Sequence, residues 1–133
     1  MAVAFSSNGQ FLPGGNPDGN YEIFVWQRRS GVFEQLTHSP NGENANPSIN
    51  LGARFVVFES NADLTGSGAT NRRIFQWDRF KQQLTLLSQS RFGENQLARI
   101  GQRRFVVWES TANLTGHNPK GDSVIYLFDR KLD

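Results

Sequence analysis

An all-β fold made of one unit stated three times is what the sequence predicts, and three observations predict it. Residues 55–66 read FVVFESNADLTG and residues 105–116 read FVVWESTANLTG, nine letters of twelve shared at an offset of fifty. The composition, with 13 Gly, 11 Phe and 3 Trp beside many Val and Ile and few Ala, suits strands and turns rather than helices. No window keeps apolar residues at helical spacing for about ten residues, so essentially no helix is expected. A period of about fifty residues holding four short antiparallel strands is the signature of a propeller blade.

The strands follow in order within each unit. Strand b is RFVVFES (54–60) in the second copy and RFVVWES (104–110) in the third; VAFSSNGQFLPG (3–14) is a diverged first copy, 53 positions before VVFESNADLTG. Each ends in an Asn/Asp/Gly-rich loop. Strand c is IFVWQR (23–28), IFQWDR (74–79) and IYLFDR (125–130), recurring every 51 residues. Strand d is typified by QLTLLSQ (83–89), and strand a by ANPSIN (45–50) and QLARIG (96–101), each introduced by GEN. The chain therefore reads b-c-d, a-b-c-d, a-b-c. That makes ten strands in a single domain of three repeats, approximately 1–45, 46–95 and 96–133.

VVFESNADLTG, a polar loop, IFQWDR and then GENANPSIN resemble the WD-like repeat of TolB-type β-propellers. That repeat pairs a PSIS…DGRYVAFSS segment with a loop and an IFVRDR strand. The parallels here are Pro47-Ser48-Ile49, Arg54 to Phe58 and Ile74 to Arg79, and the resemblance spans nearly the whole chain. It implies a six-bladed ring. Two departures stand out: Gln27 replaces the aspartate of the other copies, and Leu97-Ala98-Arg99-Ile100 replaces Pro-Ser-Ile. Kelch repeats have a similar period, but their paired glycines are missing after strand b.

Propellers close with roughly four to eight blades, so three cannot form a ring alone. A free-standing repeat array caps its ends with polar faces, yet both terminal blades alternate apolar residues on both faces. Two copies joined end to end would give six blades and leave no open end. The expected fold is thus a three-blade fragment that closes into a ring as a homodimer, with Val3, Phe5, Phe24, Trp26, Trp108, Tyr126 and Phe128 expected at the interface. A larger ring, or a fragment completed by further covalent sequence, are the alternatives.

Chemistry is sparse. The net charge is +2 with 14 basic and 12 acidic residues, and the Arg pairs at 28–29, 72–73 and 103–104 are scattered among acids rather than gathered into a stripe. Nucleic acid is not an expected partner. Absence of cysteine rules out disulfides and thiolate metal sites. No run approaches the ~18 residues of a membrane helix, and MAVAFSSNGQ lacks the pattern of an export signal. The expected location as the chain stands is cytoplasmic, unless it belongs to a longer secreted protein.

His38 and His117 fall in loops without carboxylates at ligand spacing, and no nucleophile elbow is present, so no catalytic residue and no cofactor are expected. Glu59 and Glu109 recur after strand b and read as a strand-end position. Asn16, Asp18, Asn20 and Glu22 alternate around Gly19 like the first half of a calcium loop, but the distant bidentate acid is missing. They are a weak metal candidate. Arg28, Arg79 and Arg130 end strand c in every copy and are expected to meet carbonyls or the neighbouring Asp78 and Asp129.

The functional expectation is a self-assembling scaffold without catalysis, binding itself and an unidentified peptide or small ligand at the ring opening. The alternatives are part of the propeller domain of a larger enzyme or TolB-like protein, and a calcium-dependent binding module.

Overall fold

A computed structural model describes residues 1–102 and 104–131. It contains β1 (Ala2–Ser7), β2 (Glu22–Gln27), β3 (Phe33–Gln35), β4 (Asn44–Ile49), β5 (Phe55–Ser60), β6 (Arg73–Asp78), β7 (Gln83–Leu86), β8 (Asn95–Ile100), β9 (Phe105–Ser110) and β10 (Val124–Asp129). They form three antiparallel sheets in the orders β1-β2-β3, β4-β5-β6-β7 and β8-β9-β10. Ten strands grouped three, four and three match the expected b-c-d, a-b-c-d, a-b-c. Among the described residues there is no helix, and hence none long and apolar enough to cross a membrane.

The register repeats with the sequence. Phe5 pairs with Phe24, Phe58 with Phe75 and Trp108 with Tyr126. The residue after strand c returns its N–H to the residue before strand b in each sheet: Arg28 to Met1, Arg79 to Arg54 and Arg130 to Arg104. Both inner strands carry a bulge at the same place, between Ala45 and Ser48 and between Gln96 and Arg99. Asn46 (φ 49°) and Leu97 (φ 56°) stand there in the left-handed region, which bends the strand and re-aims its N–H groups.

The GEN motif has a structural reason. Gly42 (φ +84°) and Gly93 (φ +80°) lie so close to the next loop that a Cβ would come within 2.8 Å of Ala62 Cα and 2.6 Å of Ala112 Cα. The Glu43 N–H donates to Asn61 Oδ1 at 2.7 Å, and the Glu94 N–H to Thr111 Oγ1 at 2.9 Å. The buried asparagine then reaches back to the preceding sheet, Asn44 Nδ2 donating to the Tyr21 carbonyl and Asn95 Nδ2 to the Arg72 carbonyl, both at 3.0 Å. Gly, Glu and Asn together fix the entry of each inner strand.

Two apolar clusters hold the sheets together. Ile23, Val25 and Leu36 of the first sheet meet Val56, Phe58 and Phe75 of the middle one. Val57 and Ile74, on the other face of the middle sheet, meet Ala98, Val106 and Trp108 of the third. The middle strands are therefore covered on both sides, and Val56, Val57, Phe58, Ile74 and Phe75 are all fully buried. This is why strand b reads as an unbroken apolar run rather than a one-sided alternation.

Candidate assembly surface

Each end sheet packs one face against the middle sheet. On the third sheet, Val106 and Trp108 point into the middle sheet, with Tyr126 and Phe128 packed beside them. Trp108 stacks on Tyr126 at 6.0 Å, and the Tyr126 hydroxyl donates to the Ala112 carbonyl at 2.9 Å. This corrects the expectation that Trp108, Tyr126 and Phe128 face outward. Strand alternation separates the two sets of side chains, but only the packing of neighbouring sheets shows which set is inside. The open face is formed by Phe105, Val107, Ile125 and Leu127, with exposures of 41, 36, 72 and 60%.

On the first sheet, Ala2, Ala4, Ile23 and Val25 face the middle sheet. Val3, Phe5, Phe24 and Trp26 lie on the opposite face, but Phe24 is fully buried within the chain itself, which corrects its expected place at an interface. Two aromatics that sequence reasoning missed join them. Phe11, from the loop after β1, packs 5.1 Å from Phe24 and 5.0 Å from Phe33 of β3. Phe5 stacks on Phe24 at 5.7 Å, and Phe11 meets Phe5 edge-on at 5.4 Å. Phe11 thereby buries Phe24 while remaining 41% exposed itself, as does Val3. The apolar FL pair in an otherwise polar loop was the available signal.

Repeat correspondence identifies what the two open faces are. Val3, Phe5, Phe24 and Trp26 hold the positions of Val56, Phe58, Phe75 and Trp77, which pack on the sheet before them. Phe105, Val107, Ile125 and Leu127 hold the positions of Phe55, Val57, Ile74 and Gln76, which look toward the sheet after them. Each open face thus repeats the side-chain positions of one side of a junction that the chain forms twice internally.

Polar tethers mark those internal junctions. Glu59, almost fully buried, accepts from Asn46 Nδ2 at 2.9 Å, Arg72 Nη1 at 2.6 Å and the Leu97 N–H at 2.7 Å, the last on the next sheet. Its counterpart Glu109, at the open end, is half-buried and accepts from the Ser123 hydroxyl at 2.5 Å. Arg79 crosses backward to Glu34 of the first sheet at 2.5 Å and also donates to the Ala53 carbonyl at 2.5 Å. Arg130 crosses backward to Gln76 of the middle sheet and lies 4.0 Å over the Phe55 ring. Burial lowers the Arg130 pKa.

Arg79 and Arg130 thus reach a neighbouring sheet, and Arg79 also meets a carbonyl as expected, whereas Arg28 makes no side-chain hydrogen bond or ion pair among the described residues; Asp78 and Asp129 are occupied by other arginines. Arg54 pairs with Asp78 at 2.7 Å and Arg104 with Asp129 at 2.5 Å. The hydrogen bonds from these guanidiniums draw both carboxyls below their ordinary value, Asp129 to about 2, and raise both arginines. In the first copy Met1 stands where the other copies have arginine, and Gln27 where they have aspartate.

The calcium-like loop is tied up differently. Glu22 is buried, its Oε1 accepting from the Ser39 N–H and hydroxyl at 2.7 and 2.9 Å and its Oε2 from Asn44 Nδ2 at 3.0 Å. Asn16 Nδ2 donates to the Asn20 carbonyl at 2.9 Å, Asn20 Nδ2 to the Ser39 carbonyl at 2.6 Å, and Asp18 is exposed. The loop is an amide-braced turn. Among the described residues no cluster of three acidic, His or Cys side chains is placed to hold a metal. His38 and His117 are exposed in their loops.

A cleft of about 520 Å³ lies between the first and middle sheets, walled by Leu36, Leu64, Trp77 and Leu84 with His38 and Asp63 at its polar side. It sits among the loops and outer strands, away from the inner strands β4 and β8.

Similarity to solved structures fits this architecture. A protein assigned as TolB from Agrobacterium tumefaciens superposes with a TM-score of 0.58 at 19% identity, over 85% of this chain and 39% of that one. TolB from Acinetobacter baumannii superposes with a TM-score of 0.58 at 19% identity, over 97% of this chain and 27% of that one. Tricorn protease gives 0.59 at 13% identity, over 98% of this chain and 11% of that one. The chain is an arc of a β-propeller. Each sheet is a blade, and the arc spans well under half the length of these proteins. No protein-family model and no curated protein matches it.

Proposed function

We propose that the chain is a self-assembling propeller arc, two copies of which close into a six-bladed ring that serves as a binding platform without catalysis of its own. The observation that carries this reading is the complementarity of the two open blade faces. Each is the missing half of a junction already built between the first and middle and between the middle and third blades. Joining the third blade of one copy to the first blade of the other, twice, uses both faces of both chains. The buried Glu59 and Arg73 are bonded into the blades, Glu59 by Arg72 and Arg73 by Ser67 and Asp63, which supports a structural role for them.

Light scattering behind a sizing column, over a dilution series, tests the reading. A discrete species near twice 15.0 kDa is expected, and a folded monomer at every concentration would overturn it. The short share of the TolB chains that the arc covers, 39 and 27%, favours a second reading in which the same faces meet blades of a longer chain. That reading predicts a monomer or an aggregate instead.

A further inference from the structure

The middle blade contains an aromatic clamp that the third blade repeats in incomplete form. Arg54 lies 4.7 Å from the centre of the Phe55 ring, and Arg130, arriving from the following blade, lies 4.0 Å from it. One blade on, Arg104 lies at the same 4.7 Å from Phe105. Phe105 is 41% exposed, and among the described residues no second guanidinium lies over it. Arg130 has two counterparts: Arg79, which faces a blade where Ala2 holds the place of Phe55 and pairs with Glu34 instead, and Arg28, which ends strand c of the first blade. Arg28 is exposed and makes no side-chain hydrogen bond or ion pair among the described residues.

We infer that Arg28 of one chain seats on Phe105 of a second copy, completing there the clamp that Arg130 completes on Phe55. The inference rests on the ring reading and sharpens it by naming the partner contact and its polarity. The first blade's outer face meets the third blade's outer face, never its own copy. Charge agrees with this: Asp129 neighbours Phe105 as Asp78 neighbours Phe55, so each clamp carries one carboxylate for its two guanidiniums. A guanidinium over a desolvated ring is also among the contacts that give an interface specificity beyond its area.

The test is a double-mutant cycle on the dimer dissociation constant, measured by sedimentation of the full chain. Arg28→Ala and Phe105→Leu are each expected to raise it by roughly tenfold. The double variant should be no weaker than the worse single one, and Arg29→Ala should leave it unchanged. Both sites are exposed in the single chain, so folding is not at stake. Because the chain has no cysteine, Arg28→Cys and Phe105→Cys variants can also be mixed and treated with a short bismaleimide. A covalent dimer that requires both variants is expected.

Cross-linking of either variant to itself, or additive effects of the two substitutions, would overturn the contact while leaving the dimer standing. A wild-type monomer would overturn the ring reading and this contact with it.

Discussion

The carboxylate of Glu59 accepts the backbone N–H of Leu97 at 2.7 Å, a bond from the middle blade to the bulge of the third. Leu97 adopts φ 56°, a conformation that costs a non-glycine residue about 1 kcal/mol or more, and its amide points at Glu59 because of it. The same carboxylate neutralises Arg72 at 2.6 Å.

Glu59→Ala removes the acceptor from a buried N–H and the counter-charge from Arg72 together. A loss of about 3 kcal/mol is expected, read as a lower urea midpoint at unchanged slope. Glu59→Gln, which retains an acceptor, should lose less. Equal losses would mean that burial, not the bond to Leu97, sets the value of the position.

A contrast between two glycines separates strain from crowding. Gly93 and Gly116 both adopt positive φ, +80° and +82°, but a Cβ on Gly93 would meet Ala112 at 2.6 Å whereas one on Gly116 meets nothing within 4 Å. Gly116→Ala should cost about 1 kcal/mol, the backbone contribution alone. Gly93→Ala should cost about 3 kcal/mol, because the Ala112 backbone cannot move aside without disturbing the entry of β8. Equal costs in chemical denaturation would count against the close approach as the reason for GEN.

Acid should weaken the chain through two of its Arg–Asp pairs, Arg54–Asp78 and Arg104–Asp129. The folded Asp129 carboxyl is held at about 2, below its ordinary 3.8, first by the hydrogen bond from Arg104. Asp78 is lowered in the same direction by Arg54. A depressed carboxyl stabilises the fold fully above its unfolded value and loses that contribution as pH falls through its folded one. Melting temperature should therefore be insensitive to these pairs from pH 7 down to about 5, and fall between about 4 and 2. In Asp129→Asn part of that fall should be missing. Parallel curves for the two proteins would refute the assignment.

How much of this was legible beforehand depends on what each residue answers to. The ten strands and their grouping came from a repeat visible by eye, since Phe58 and Trp108, or Ile74 and Ile125, occupy the same place in the same unit. The direction of each face was not legible. Trp108 is apolar and alternates with Val107, and only a packed neighbour determines that Trp108 is inside and Val107 outside. The true partner of Arg79 was equally hidden, because Glu34 lies 45 residues away in another blade. The calcium-like spacing of Asn16 to Glu22 stayed a weak candidate because spacing cannot report that Ser39 and Asn44 bind the Glu22 carboxylate.

The assembly surface allows a test in which folding and association come apart. Leu127 is 60% exposed in the single chain and lies next to Ile125, itself 72% exposed. Placing a charge there removes little that the isolated arc uses, so Leu127→Glu should change monomer stability by only about 0.5 kcal/mol. In the proposed ring, the same position lies against the aromatic face of the partner's first blade, where an unpaired carboxylate would be stripped of water. The variant is therefore expected to sediment as a folded 15.0 kDa species, and the unsubstituted chain as a dimer. By contrast, Thr115→Glu, on an exposed loop, should remain dimeric. If Leu127→Glu stayed dimeric with unchanged affinity, the outer face of the third blade could not be the surface through which two copies meet.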